Sequence, residues 1–223
     1  MAVLDPIKPR ILATRLIPNV HPDFATQLGL RADQHSLALV TCDIDDALYV
    51  ALDEATKMAE VEVVYAQSFY AGSSYSSGPL SGEIIGILAG PNPAEARAGL
   101  EACVTYAQEA AWFYSANADN TLVYFPHTIS RCGSYLSRVA QVPLETPLAY
   151  LIAPPLEATF AIDAALKAAE VTLCVWWKPP SETNFSGALL SGTQSACRAA
   201  CLAFENAVLD VARDPCAWES RQG

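Results

Sequence analysis

Ala51-Leu-Asp-Glu-Ala-Thr-Lys-Met-Ala-Glu-Val61 returns 110 residues later as Ala161-Ile-Asp-Ala-Ala-Leu-Lys-Ala-Ala-Glu-Val171, with seven identities in eleven positions. A strand-like run follows in both places, Val61-Glu-Val-Val-Tyr65 and Val171-Thr-Leu-Cys-Val175. Further out, Ser81-Gly-Glu-Ile-Ile85 matches Ser186-Gly-Ala-Leu-Leu190, and Arg97-Ala-Gly-Leu100 matches Arg198-Ala-Ala-Cys201. Upstream, Leu37-Ala-Leu-Val-Thr41 pairs with Leu148-Ala-Tyr-Leu-Ile152. A period this long marks a duplicated domain, because solenoid repeats are shorter. The 223 residues therefore divide into two domains, 1–113 and 114–223, with a tail from about 215. Each is large enough for its own core.

Each copy reads as alternating strands and helices, an α/β (α+β) pattern. In the first copy the spacing predicts strands at Ile11 to Val20, Leu37 to Thr41, Val61 to Tyr65 and Glu83 to Leu88, and a short helix from Asp53 to Glu60. The clearest helix starts at Gly90-Pro-Asn-Pro-Ala-Glu95. Asn92 suits the N-cap, Pro93 the first helical position, and Glu95 the third, a variant of the capping box. Its apolar stripe is Leu100, Cys103, Val104, Ala107 and Ala111, repeated in the second copy by Cys197, Cys201, Phe204, Val208 and Val211.

Composition bounds the function. A net charge of −11 leaves no basic stripe to displace counterions, so no nucleic-acid partner is expected. Charged residues are only 17% of the chain, which points to extra surface buried against other subunits. No apolar stretch is long enough for a membrane helix, and Asp5 with prolines at 6 and 9 disfavours a secretory signal. Seven cysteines without framework spacing suit a reducing compartment and core packing. His21, His35 and His127 sit in no catalytic motif, and no phosphate loop or nucleophile elbow is present. No catalytic residue, metal or cofactor is expected.

The differences between the copies are more informative. Thr41-Cys-Asp-Ile-Asp-Asp-Ala47 places Asp43, Asp45 and Asp46 between a strand and a helix, whereas Pro155 and Leu156 stand where Asp45 and Asp46 would repeat. Glu83 becomes Ala188 in the second copy. Two readings of the acidic turn stand: a cap on the following helix, or an anionic site for a small cation. The first copy also carries a long uncharged loop, Ser68-Phe-Tyr-Ala-Gly-Ser-Ser-Tyr-Ser-Ser-Gly-Pro-Leu-Ser-Gly82, which the second shortens by five residues. Such a loop is either a solvated excursion or functional.

Several strings carry a resemblance: Asp53-Glu-Ala-Thr-Lys57, Val61-Glu-Val-Val-Tyr65, Gly90-Pro-Asn-Pro-Ala-Glu-Ala-Arg-Ala-Gly99, Arg131-Cys-Gly-Ser-Tyr-Leu136, Ala153-Pro-Pro-Leu-Glu-Ala158 and Pro180-Ser-Glu-Thr-Asn184. They resemble the EutL family, tandem-domain shell proteins of ethanolamine-utilisation bacterial microcompartments, from about Asp5 to about Asp214. The resemblance implies two circularly permuted microcompartment domains, each an antiparallel-rich sheet flanked by helices. It implies a homotrimer that imitates a hexamer, tiling with other microcompartment shell proteins around a gated central pore. The candidate gate positions in this chain are Phe69, Tyr70, Gly72, Ser74, Tyr75 and Gly78, with Pro179, Pro180, Ser181 and Glu182. It also implies ethanolamine binding, thought to favour the closed pore, at Asp45, Asp46, Glu83, Phe113, Thr183, Asn184 and Phe185. The carboxylates would attract the ammonium, Thr183 and Asn184 would bond its polar ends, and the two rings would face the cation or exclude water. Tyr75, Trp176, Trp177, Cys132, Cys174 and Cys216 match no family role. A sensor of the same fold that builds no shell is the alternative, and an enzyme acting on an amino alcohol a third reading.

Overall fold

The computed structural model describes residues 3–68, 84–179 and 185–217. In chain order the first part runs β1 (Pro6–Ile7), β2 (Ile11–Ile17), α1 (Pro22–Gln27), β3 (Ser36–Cys42), α2 (Asp45–Met58), β4 (Glu62–Ser68), β5 (Ile84–Gly90) and α3 (Pro93–Glu109). The second part runs β6 (Phe113–Ser115), β7 (Val123–Ile129), α4 (Ser134–Ala140), β8 (Leu148–Ala153), α5 (Pro155–Ala168), β9 (Val171–Trp177), β10 (Ser186–Gly192) and α6 (Gln194–Arg213).

The chain forms two compact units. One holds Lys8–Trp112 and Cys132–Val139; the other holds Met1–Ile7, Phe113–Arg131 and Ala140–Gly223. The chain passes from one unit to the other at Trp112, and residues 1–7 and 132–139 are segments apart from the main body of the unit that holds them. The first segment belongs there because Pro6 and Ile7 pair with Tyr114 and Phe113.

The four-stranded unit has sheet order β2-β3-β5-β4, and the other continues β7-β8-β10-β9 beyond β1 and β6. All pairings are antiparallel. The common core of each unit is thus one motif, with β2, β3, α2, β4, β5 and α3 repeated by β7, β8, α5, β9, β10 and α6. Even an irregularity repeats: the register slips between Val63 and Tyr65 against β5, and between Leu173 and Val175 against β10. A bulge at the same place in both copies belongs to the fold.

β3 and β8 lie inside their sheets and are almost wholly buried, as their near-continuous apolar sequences require. Ala38, Val40 and Cys42 of β3 pack with Leu48, Leu52 and Ala55 of α2 and Leu100, Cys103 and Ala107 of α3. Ala149, Leu151 and Ala153 of β8 pack with Ala158, Ala161 and Ala165 of α5 and Cys197, Cys201, Phe204 and Val208 of α6. Both expected helical stripes therefore form core, although Ala111 lies past the end of α3 and Val104 and Val211 are only partly covered. The small helix residues let α2 and α5 lie close on their sheets. Gly86 extends this: a Cβ there would stand 2.7 Å from Leu52 Cδ1.

Asn92 caps α3 as expected, its side chain accepting from the amides of Ala94 and Glu95. Glu95 does not complete a capping box. Its carboxylate accepts the Glu60 amide at 2.7 Å and so fixes the turn before β4. β2 ends at Ile17 rather than Val20, and α2 begins eight residues before the expected Asp53. The strongly repeated segment draws attention to the second half of α2, while its first turn lies in the stretch where the copies differ.

Candidate functional site

β3 delivers the acidic turn. Asp43 leaves the strand end and is held by Arg10, which donates its amide at 2.7 Å and Nε at 2.8 Å. Ile44 occupies the N-cap of α2 and contributes no side-chain hydrogen bond. Asp45 and Asp46 are the first two helical residues, and Asp45 Oδ1 accepts the Asp46 amide at 2.9 Å. The capping reading is thus met only in part: neither residue is the N-cap, yet Asp45 serves a first-turn amide. Both are buried, at 9% and 6% exposure, where the helix dipole favours negative charge. Two adjacent carboxylates at a helix start attract cationic groups at short range. One turn along, the Tyr49 hydroxyl accepts the Ser68 amide at 3.1 Å, tying the end of β4 to this turn of α2.

The second copy lacks all of this. Pro154 is the N-cap of α5, Pro155 opens the helix, and Leu156 is 64% exposed. The fold therefore forms without carboxylates at these positions.

Phe113 and Phe185 belong to the six-stranded unit, with ring centroids 6.3 Å apart. Phe113 stacks on Phe125 at 4.9 Å, and Phe125 on His127 at 5.1 Å. Tyr150 meets Phe125 edge-on, and Trp177 packs against Tyr150 at 5.1 Å. These residues line the sheet face opposite α5 and α6, so Trp177 is a member of an aromatic layer. Trp176 points the other way, is 43% exposed, and carries the Lys178 ammonium over its ring. His127 is committed to this layer, and no group of three His, Cys, Asp or Glu side chains that could hold a metal exists among the described residues.

Pro179 is the last described residue before the second expected gate segment and is exposed. Phe69, Tyr70, Gly72, Ser74, Tyr75, Gly78, Glu83, Pro180, Ser181, Glu182, Thr183 and Asn184 lie outside the described residues.

Asp53 repeats as Asp163 in the second copy. Its surroundings are different. Asp53 is 1% exposed and accepts the Gly133 amide at 2.7 Å and the Leu136 amide at 2.8 Å, which caps α4. Thr56 Oγ1 accepts the Ser134 amide at 3.0 Å. Burial pushes the Asp53 carboxyl above its ordinary range, against the opposing pull of those amides and of Lys57. Gly133 is required because any Cβ would collide with Thr56 Oγ1. The one sequence signal was Arg131-Cys-Gly-Ser-Tyr-Leu136, a glycine just before a helix start.

Residues 36–117 match the BMC domain family. Over 211 residues, 95% of this chain and 97% of the relative, the sequence is 54% identical to the bacterial microcompartment shell protein EutL of Clostridium perfringens strain 13. The chain belongs to the EutL family of microcompartment shell proteins. The EutL of Escherichia coli K12 is 51% identical over 215 residues, covering 96% of this chain and 98% of that one. The crystal structure of the ethanolamine utilization protein EutL from Leptotrichia buccalis superposes with a TM-score of 0.94 at 54% identity, covering 97% and 99% of the two chains. As a EutL-family member the protein is a structural component of a microcompartment shell and not an enzyme. No helix among the described residues is long and apolar enough to cross a membrane.

Proposed function

We propose that three copies of this chain form a pseudohexameric shell tile that binds ethanolamine and controls passage through a central pore. The observation that carries the ligand is the buried Asp45–Asp46 pair, whose equivalents in the other copy of the domain are Pro155 and Leu156. Ethanolamine suits that pair: its ammonium is cationic at neutral pH and its hydroxyl can donate and accept hydrogen bonds beside it. The other proposed contacts are Glu83, Thr183 and Asn184 for the polar ends, and Phe113 and Phe185 for the cation or the exclusion of water. The link to an ethanolamine pathway is supported by the name of the Leptotrichia relative.

The duplication supports the trimer. Two similar domains per chain turn three-fold symmetry into a six-membered ring of near-equivalent contacts. Segments 68–82 and 179–185 are the proposed pore gate, and ethanolamine shifts it only as far as its affinity differs between open and closed states.

Titration calorimetry tests the site. Asp45→Ala combined with Glu83→Ala should lose at least tenfold in ethanolamine affinity while remaining trimeric by light scattering. Unchanged affinity would remove the acidic turn from the ligand site.

A further inference from the structure

The turn that leads into Asp45 and Asp46 is longer in this copy of the domain than in the other. Asp43 and Ile44 join β3 to α2, whereas Pro154 alone joins β8 to α5. Equivalent strands and helices flank both turns, so the first copy holds one residue more where its carboxylates begin. An added residue brings added backbone freedom to a turn unless something fixes its path.

The neighbouring strand supplies that constraint. The register of β2 on β3 slips between Ile11 and Ala13, beside the turn, and Ile11 pairs with Cys42. Such a bulge bends a strand and re-aims the residues next to it. Arg10 is the next residue along, and it meets Asp43 three times. Its amide donates to Oδ1 at 2.7 Å, its Nε donates to Oδ2 at 2.8 Å, and its carbonyl accepts the Asp43 amide at 3.3 Å. Both carboxylate oxygens and the backbone of Asp43 are thus engaged by one partner.

The usual local device for orienting a helix start is missing here. Ile44 is the N-cap of α2 and gives no side-chain hydrogen bond, whereas a polar N-cap would fix the first turn directly. The anchor lies one residue earlier, at Asp43. The Arg10–Asp43 ion pair contributes little to global stability, because the Arg10 side chain is 79% exposed. Its consequence is local: the chain clamped at Asp43 reaches Asp45 and Asp46 after a single intervening residue.

We propose that Arg10 is a positioning residue for the ligand site, which by clamping Asp43 sets where Asp45 and Asp46 stand. This rests on the acidic turn as the ethanolamine site and adds a residue that does not touch the ligand. Charge and position predict opposite signs for its removal. As a cation near an anionic turn Arg10 opposes an incoming ammonium, so by charge alone its loss would tighten binding. As a clamp it pre-organises the carboxylates, so its loss weakens binding.

Titration calorimetry with ethanolamine on Arg10→Ala, Asp43→Ala and the double variant separates the two, each variant first showing wild-type far-UV circular dichroism. The clamp predicts about threefold weaker binding for Arg10→Ala, which keeps the main-chain bonds, about tenfold for Asp43→Ala, and no further loss in the double variant. Independent charges predict tighter binding for Arg10→Ala, weaker binding for Asp43→Ala and near wild-type affinity when both are removed. That pattern would overturn the clamp and leave the site standing. A lower thermal midpoint with unchanged affinity in Arg10→Ala would make the pair merely structural and would also refute the proposal. A wild-type protein that binds no ethanolamine would remove the site itself, and this role of Arg10 with it.

Discussion

Asp53 and Asp163 occupy equivalent places and form the same i,i+4 contact, with Lys57 and Lys167 respectively. Their energetic roles differ because one is buried and the other exposed. Removing Asp53 leaves the buried amides of Gly133 and Leu136 without acceptors, so Asp53→Ala should cost about 2 kcal/mol in urea unfolding. Asp163→Ala removes an exposed pair and should change stability by less than about 0.5 kcal/mol. Equal effects would mean that the cap contributes nothing. The cysteines divide on the same principle. Burial pushes the Cys42 and Cys201 thiols up to about 12 and raises Cys103 and Cys197 as well. A thiol with a raised pKa stays protonated and unreactive until the pH approaches that value. Iodoacetamide at about pH 8 should therefore label exposed Cys216 first and the half-buried Cys174 slowly, read by peptide mass spectrometry. Rapid labelling of Cys42 or Cys201 in the native protein would contradict their burial.

Helix starts show which elements local sequence can specify. α3 was legible because Asn92 and Pro93 encode its beginning within three residues, and the side chain of Asn92 does cap it. α6 starts by the same device, with Thr193 Oγ1 accepting the Ala196 amide. Asn92→Ala and Thr193→Ala should each lower stability by about 1 kcal/mol in denaturant unfolding, and no loss at either would show the amides satisfied otherwise. The start of α2 was not legible for the complementary reason. Ile44 gives no capping signal, and the two aspartates that follow read equally well as caps or as a site. The extra strands β1 and β6 give no sequence signal either, being two and three residues long and held in place by pairing with each other and β7.

At the scale of the molecule, the repeat revealed two domains and their order of elements, because duplication leaves its record in local strings. It could not reveal the exchange of segments between units, since the bond from Gly133 to Asp53 spans 80 residues and neither partner is unusual in its own neighbourhood. The acidic site candidates were legible as a difference between copies and through the family resemblance, and of Asp45, Asp46 and Glu83 the first two fall among the described residues. The exchange has a physical consequence. A fragment of residues 1–113 lacks the helix that uses Asp53 and Thr56 and covers the Val63 carbonyl. A fragment of residues 114–223 lacks β1, the partner of β6. Each piece thus exposes a surface that only the other completes, so the fragments expressed alone should be insoluble or unfold without cooperativity. Co-expressed, they should copurify on a tag carried by one and recover the native circular dichroism, because both missing contacts re-form in trans. Cooperative unfolding of 1–113 alone at the midpoint of the intact chain would mean that residues 132–139 only decorate the first unit; loss at both fragments with recovery in the pair would make the exchange the reason the two domains fold as one chain.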